Sequence, residues 1–146
     1  MTEVGTSRRY RPNPTGICQP ERWGLAYARA TLTFETIIVT VNGEIDAHNA
    51  AHLARYIERH GALVRRLLID LREVTFFATA GLAALRRVEN ELALREADWR
   101  LLPSPAVRKL LRICGAEDLP QMETLEAARR PATATPLLVV APLAAT

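Results

Sequence analysis

The stretch Phe76 to Leu85, FFATAGLAAL, passes from an apolar strand pattern through small residues into a helix pattern. Backbone N–H groups at such a helix start point outward and can hold a phosphate. Thr79 is the one hydroxyl there. It is therefore the candidate phosphorylation site, set against a structural role in capping or starting the helix. His48 and His52 stand four apart, the spacing of two metal ligands on one helix face. Asn49 occupies the place of the glutamate in H-E-x-x-H and no third ligand is evident, so a solvated helix face is expected and no metal. Glu44, Asp46 and Asp70 would suit acid–base work if brought together, but a cap and strand-end solvation are the expected reading. The only serines are Ser7 and Ser104, neither in a Ser-His-Asp pattern, and no G-x-x-x-x-G-K or G-x-G-x-x-G loop occurs. Neither catalysis nor a cofactor is expected. Cys18 and Cys114 are too far apart for a C-x-x-C pair. Cys114, on the apolar side of a short helix pattern, reads as a buried small hydrophobe, with a redox-sensing thiol as the alternative.

The composition narrows the class further. A chain of 146 residues can bury a core without disulfide or metal staples. Aromatic content of 5% argues against a base-stacking platform, and the net charge of +3 is mild. The 19 basic residues include a single lysine, Lys109, and fall as scattered pairs such as Arg65-Arg66, Arg86-Arg87 and Arg129-Arg130. Direct nucleic-acid binding is not expected from that distribution. The longest apolar stretch, PLLVVAPLAA, is too short and too proline-broken to span a bilayer, so the expectation is a cytoplasmic protein with no membrane segment.

The elements that must position these residues follow from periodicity. Residues 1–22 mix proline, glycine and arginine without a period and read as a flexible leader, with the ordered domain running over 23–130 and a C-terminal tail over 131–146. WGLAYARATL and TIIVTV predict an antiparallel hairpin, with Ile37, Val39 and Val41 on one face. From Asp46, the expected N-cap, helical spacing places Ala50, Leu53, Ala54 and Ile57 on one face until Gly61. Leu67 to Leu71 predicts a central strand covered on both faces and closed by Asp70. Leu82, Leu85, Val88, Leu92 and Trp99 mark the longest helical stripe. RLL is a short strand, and PSPAVRKLLRICG is a helix with Pro105 in its first turn and Val107, Leu110, Leu111 and Cys114 facing inward. A short extended piece near Leu119 and a helix over about 124–130 complete the domain, and PLLVV is a further strand or loose. The alternation predicts an α/β domain.

Taken in order, VTVNGEIDAHNAAHL, RRLLIDLREVTFFATAGLAALRRV and SPAVRKLLRICGAED resemble the STAS domains of bacterial anti-sigma factor antagonists, over roughly residues 34 to 130. The resemblance implies a mixed sheet of four to five strands with about four helices packed mainly on one side. It implies a protein that binds an anti-sigma factor, often one with a histidine-kinase-like ATP-binding fold, and so frees a sigma factor for transcription. In that family the switch is a serine or threonine before the glycine of Asp-Ser-[Ser/Thr]-Gly. Here the aspartate falls on Ala78, the first serine on Thr79 and the acceptor on Ala80, directly before Gly81. Alanine cannot accept phosphate, so the loop is a degenerate phosphorylation motif. The resemblance places partner binding on Asp46, Ala47, His48, Ala50, Leu82, Ala83 and Arg86, with Arg86 and Arg87 available to an acidic partner. An alternative keeps the fold and makes the protein a scaffold or ligand-sensing module of a signalling complex without an anti-sigma partner.

Overall fold

A computed structural model describes residues 17–33, 36–62 and 64–126. Five strands form one sheet in the order β1 (Ile17–Trp23), β2 (Ala26–Thr33), β3 (Thr36–Ile45), β4 (Arg66–Phe77) and β5 (Asp98–Pro103). The first three are joined antiparallel, and β3–β4 and β4–β5 are parallel, so the sheet is mixed. Helices α1 (Ala50–Gly61) and α2 (Thr79–Leu94) make the parallel crossovers, and α3 (Pro105–Ile113) follows β5. The expected α/β architecture is present, with three helices among the described residues. The tail over 131–146, with its PLLVV segment, and most of the helix expected over 124–130 lie outside the described residues.

Alternation decides the faces. Register sets Ile37 beside Leu67 and Trp99, and Val39 beside Ile69 and Leu101, all turned to the side that the helices cover. Leu53 and Ile57 of α1, Leu85, Val88 and Leu92 of α2, and Val107 and Leu111 of α3 close that core. Each such aliphatic side chain contributes about 1.5–3 kcal/mol on burial. The other face holds a smaller cluster of Leu68 and Leu102, covered by Met122 and Leu125. Parallel pairing of Leu101 with Gln121 holds this last segment against β5, where the extended piece near Leu119 was expected.

Three elements differ from the sequence expectation. Strand β1 begins at Ile17, upstream of the expected start of order at Trp23. Its pairing with β2 shifts between Cys18 and Glu21 beside Pro20, which hides the alternation that marks a strand. Strand β4 does not close at Asp70 but runs to Phe77. Thr40 pairs with Asp70 but Asn42 with Glu73, and Gly43 pairs with Val74 but Glu44 with Phe76, so β4 carries an extra residue at two points. The buried positions Leu71, Val74 and Phe77 therefore recur every third residue instead of every second. The third difference is at Trp99. The α2 helix ends at Leu94, and Trp99 faces the core from β5 instead of extending the helical stripe.

Helix α1 is anchored to β1 by aromatic and charged contacts. Trp23 stacks on His52 at 6.0 Å between ring centres and meets Tyr56 edge-on at 5.6 Å. Its indole donates to Glu21, whose other carboxylate oxygen accepts from Arg59. His60, one turn on, is buried against Tyr56, and its Nδ1 donates to the Tyr56 carbonyl at 2.9 Å. Burial pushes the His60 imidazole below its ordinary value; the Tyr56 bond opposes this, Arg59 adds to it, and Glu21 opposes it. The unfolded chain, titrating near 6.5, then binds more protons than the native state as pH falls through that value. The urea midpoint is expected to drop between about pH 7.5 and 5.5, and His60→Gln, which keeps a donor but does not titrate, should flatten that dependence.

Candidate functional site

The C-terminal ends of β3 and β4 lie side by side. The Ala78 amide donates to the Ile45 carbonyl at 2.9 Å, which ties the turn after β3 to the start of α2. Gly43 prepares this junction. It sits at φ 102°, and a Cβ there would stand 1.9 Å from the Leu25 carbonyl oxygen. That oxygen accepts from the Glu44 amide at 3.1 Å, an approach only glycine permits.

Asp46 opens a turn and not the helix, which corrects the expected N-cap. Its Oδ1 accepts from the amides of His48 and Asn49 at 2.9 and 3.2 Å, while the Asn49 Oδ1 accepts from the Asp46 amide at 2.8 Å. The exchange has the logic of a capping box moved ahead of the helix, which starts at Ala50 with Asn49 in the N-cap position. Asn49 is 4% exposed and its Nδ2 donates to the carbonyls of Trp23 and Glu44 at 3.0 and 2.9 Å. Sequence reasoning missed it. The signal was there: an Asx residue three positions after an aspartate and directly before an apolar period.

His48 and His52 do not share a helix face. His48 belongs to the turn and is open to solvent, while His52 is held against Trp23. Among the described residues no group of three His, Cys, Asp or Glu side chains could hold a metal. Nor are the three carboxylates brought together. Asp70 pairs with Thr40, four positions before Glu44 on β3, or roughly 13 Å along the strand. It is buried and chelated by Arg72, whose Nε and Nη2 donate at 2.9 and 2.8 Å.

The α2 helix starts at Thr79 with Ala78 in the N-cap position, and no side chain caps it. Thr79 is exposed and starts the helix without capping it; Ala80 is half-buried beside it. Gly81 is buried because its missing side chain makes room for a ring: a Cβ there would lie 2.6 Å from Cε1 of Phe77. Ala50, Ala51 and Ala54 of α1 face Ala80, Ala83 and Ala84 of α2 across an open groove of ≈ 220 Å³. The arginines expected to be free for a partner are occupied. Arg86 donates to both oxygens of Asp118 at 2.9 Å and to Glu89 at 3.0 Å. Its guanidinium is accordingly raised, and these hydrogen bonds, Asp118 first, are the cause. The Asp118 carboxyl is lowered by the same pairing. Arg87 pairs with Glu58 at 2.8 and 2.9 Å. Cys114 is exposed and not buried: it is the C-cap residue past the end of α3, where the chain leaves the helix through Gly115 at φ 69°.

Residues 27–128 match the model of the STAS domain family. The chain belongs to the STAS domain family. Among solved structures, this STAS domain is similar to an anti-sigma factor antagonist from Mycobacterium paratuberculosis, at 25% identity and a TM-score of 0.59, covering 81% of this chain and 95% of that one. It shares its fold with the anti-sigma factor antagonist SpoIIAA in unphosphorylated form, at 24% identity and a TM-score of 0.57, covering 75% of this chain and 90% of that one. In sequence it is 32% identical over 85 residues to Osmosensory protein A of Mycobacterium tuberculosis. That match takes in 58% of this chain and 54% of the relative, so the chain spans about half the length of the curated protein it matches. No helix among the described residues is long and apolar enough to cross a membrane.

Two substitutions test how this STAS domain builds the site. Asn49→Ala leaves two carbonyls, that of Trp23 buried and that of Glu44 half-buried, without their donor and should lower stability by about 2–3 kcal/mol in urea unfolding. Ala78→Asp supplies the missing N-cap and should raise stability by about 1 kcal/mol by the same measurement.

Proposed function

We propose that this STAS domain is an anti-sigma factor antagonist, a non-catalytic cytoplasmic binding protein that captures an anti-sigma factor and so frees a sigma factor. The observation that carries the reading is the junction itself. An exposed Asp46 turn and an uncapped α2 start are tied edge to edge, at the positions where the family resemblance puts partner binding. The similarity to a mycobacterial anti-sigma factor antagonist supports it.

The surface would work by shape more than by charge. Alanines on both helices let a partner backbone approach closely, and Arg86 and Arg87 are neutralised within the fold. Phosphorylation before Gly81 would bring about two negative charges to this surface and repel a docked partner. Ala80 removes that acceptor, so binding is proposed to be free of the usual serine switch. Thr79, exposed one position earlier, is the remaining acceptor to examine. The partner class proposed is an anti-sigma factor with a histidine-kinase-like ATP-binding fold.

Capture of anti-sigma factors from lysate of the source organism by the tagged chain tests the reading. Ala83→Arg, at the exposed lip of the groove, should weaken capture at least about tenfold, or 1.4 kcal/mol, without altering thermal unfolding. Intact mass of the captured chain should show no phosphate. Failure to retain any anti-sigma factor would refute the reading. The match to an osmosensory protein favours a second one, a sensing or scaffold module, for which a large stable particle on size-exclusion chromatography would be expected.

A further inference from the structure

A second groove lies between the end of β4 and α3. Phe76, Phe77, Leu110 and Ile113 line it together with Lys109, and its volume is ≈ 260 Å³. Phe76 is 50% exposed and Ile113 68% exposed, two large apolar side chains left open on the same groove. Contiguous exposed apolar surface of this kind marks contact sites in soluble domains. The charge beside it is basic. Arg59, Arg72, Arg86, Arg87, Arg95 and Arg100 each hold a carboxylate. Arg108, Lys109 and Arg112 are all exposed on α3, and none of them is in an ion pair among the described residues. No carboxylate lines the groove.

We propose that this groove is a docking site for an acidic segment of a partner protein, with bulky apolar side chains seated against Phe76, Leu110 and Ile113 and carboxylates meeting Lys109 and Arg112. The charges decide between occupants. The chain's own residues 127–146 include apolar PLLVV but no aspartate or glutamate, and they carry Arg129 and Arg130. That segment also follows Leu125, which lies against Leu68 and Leu102 on the sheet face away from the helices. It matches the apolar floor but not the basic rim. The groove lies next to the α2 start, since Phe77 lines it and also lies beneath Gly81. One partner can therefore engage both, and the inference rests on the anti-sigma reading only for which protein supplies the segment.

The test is a titration of the full isotope-labelled chain, followed by amide shifts, with a short synthetic peptide alternating Glu with Leu and Phe. The Gln-for-Glu peptide and a synthetic 131–146 peptide serve as competitors. Saturable shifts at Phe76, Lys109, Leu110 and Ile113 are expected from the acidic peptide. Binding should weaken at least about tenfold in Lys109→Glu/Arg112→Glu and likewise in Phe76→Ser, and fall with added salt. Circular dichroism establishes that each variant is folded, and Arg29→Gln, exposed on β2 and outside the groove, provides a control that should bind as the parent chain does. Shifts elsewhere, equal binding of the Gln peptide, preferential binding of the 131–146 peptide, no binding, or concentration-dependent self-association at the groove would each overturn the proposal. A chain that binds the acidic peptide but captures no anti-sigma factor would leave the groove standing and remove the function proposed above.

Discussion

The buried amide of Asn49 is the constraint on which the end of the domain that carries the candidate site depends. Its two hydrogens go to the carbonyls of Trp23 and Glu44, and its oxygen takes the amide of Asp46. Two chain segments, the end of β1 and the stretch from Glu44 to Asn49, are joined through one side chain that water cannot reach. A buried polar group is tolerated only when its partners are all supplied, and losing the group leaves those partners unsatisfied. The Asp46 turn is tied down by these bonds, although its outer side is open to solvent.

Next to that turn, the start of α2 is held by packing and backbone bonding without any side-chain cap. The Ala78 amide reaches Ile45, and Gly81 sits directly on the Phe77 ring. The result is a smooth, small-residue surface whose shape is fixed from below. Its neighbouring arginines are bound to Glu58, Glu89 and Asp118, so the surface carries little unsatisfied charge. Three cations in no ion pair among the described residues lie one element away, on α3, where they border exposed apolar side chains. Charge and shape are thus separated between two adjoining grooves.

Much of the fold was legible because burial imposes a period. Ile37, Val39 and Val41 alternate and are all buried, and Leu67 to Leu71 is covered on both faces. The stops of α1 and α3 and the Pro105 start read correctly for the same local reasons. Legibility failed where the chain departs from ideal periods. Two bulges gave the second half of β4 a spacing of three, and a shifted register beside Pro20 disguised β1. Trp99 happened to continue a helical stripe but is buried from the next strand.

By itself the sequence determined the α/β class, the order of elements from β2 to α3 and the family resemblance. It also determined that Ala80 cannot carry a phosphate, since that follows from composition at one position. Only the tertiary structure decided which polar groups are available. Arg86 and Asp118 lie far apart in the chain but meet in space, which removed a cation that the local pattern left free. Asn49 and Trp23 are likewise distant in sequence and joined in the fold. Hydrogen bonds and ion pairs between remote residues carry no period, so nothing in the one-dimensional pattern announces them, whereas the apolar periods that build the sheet and helices are written along the chain.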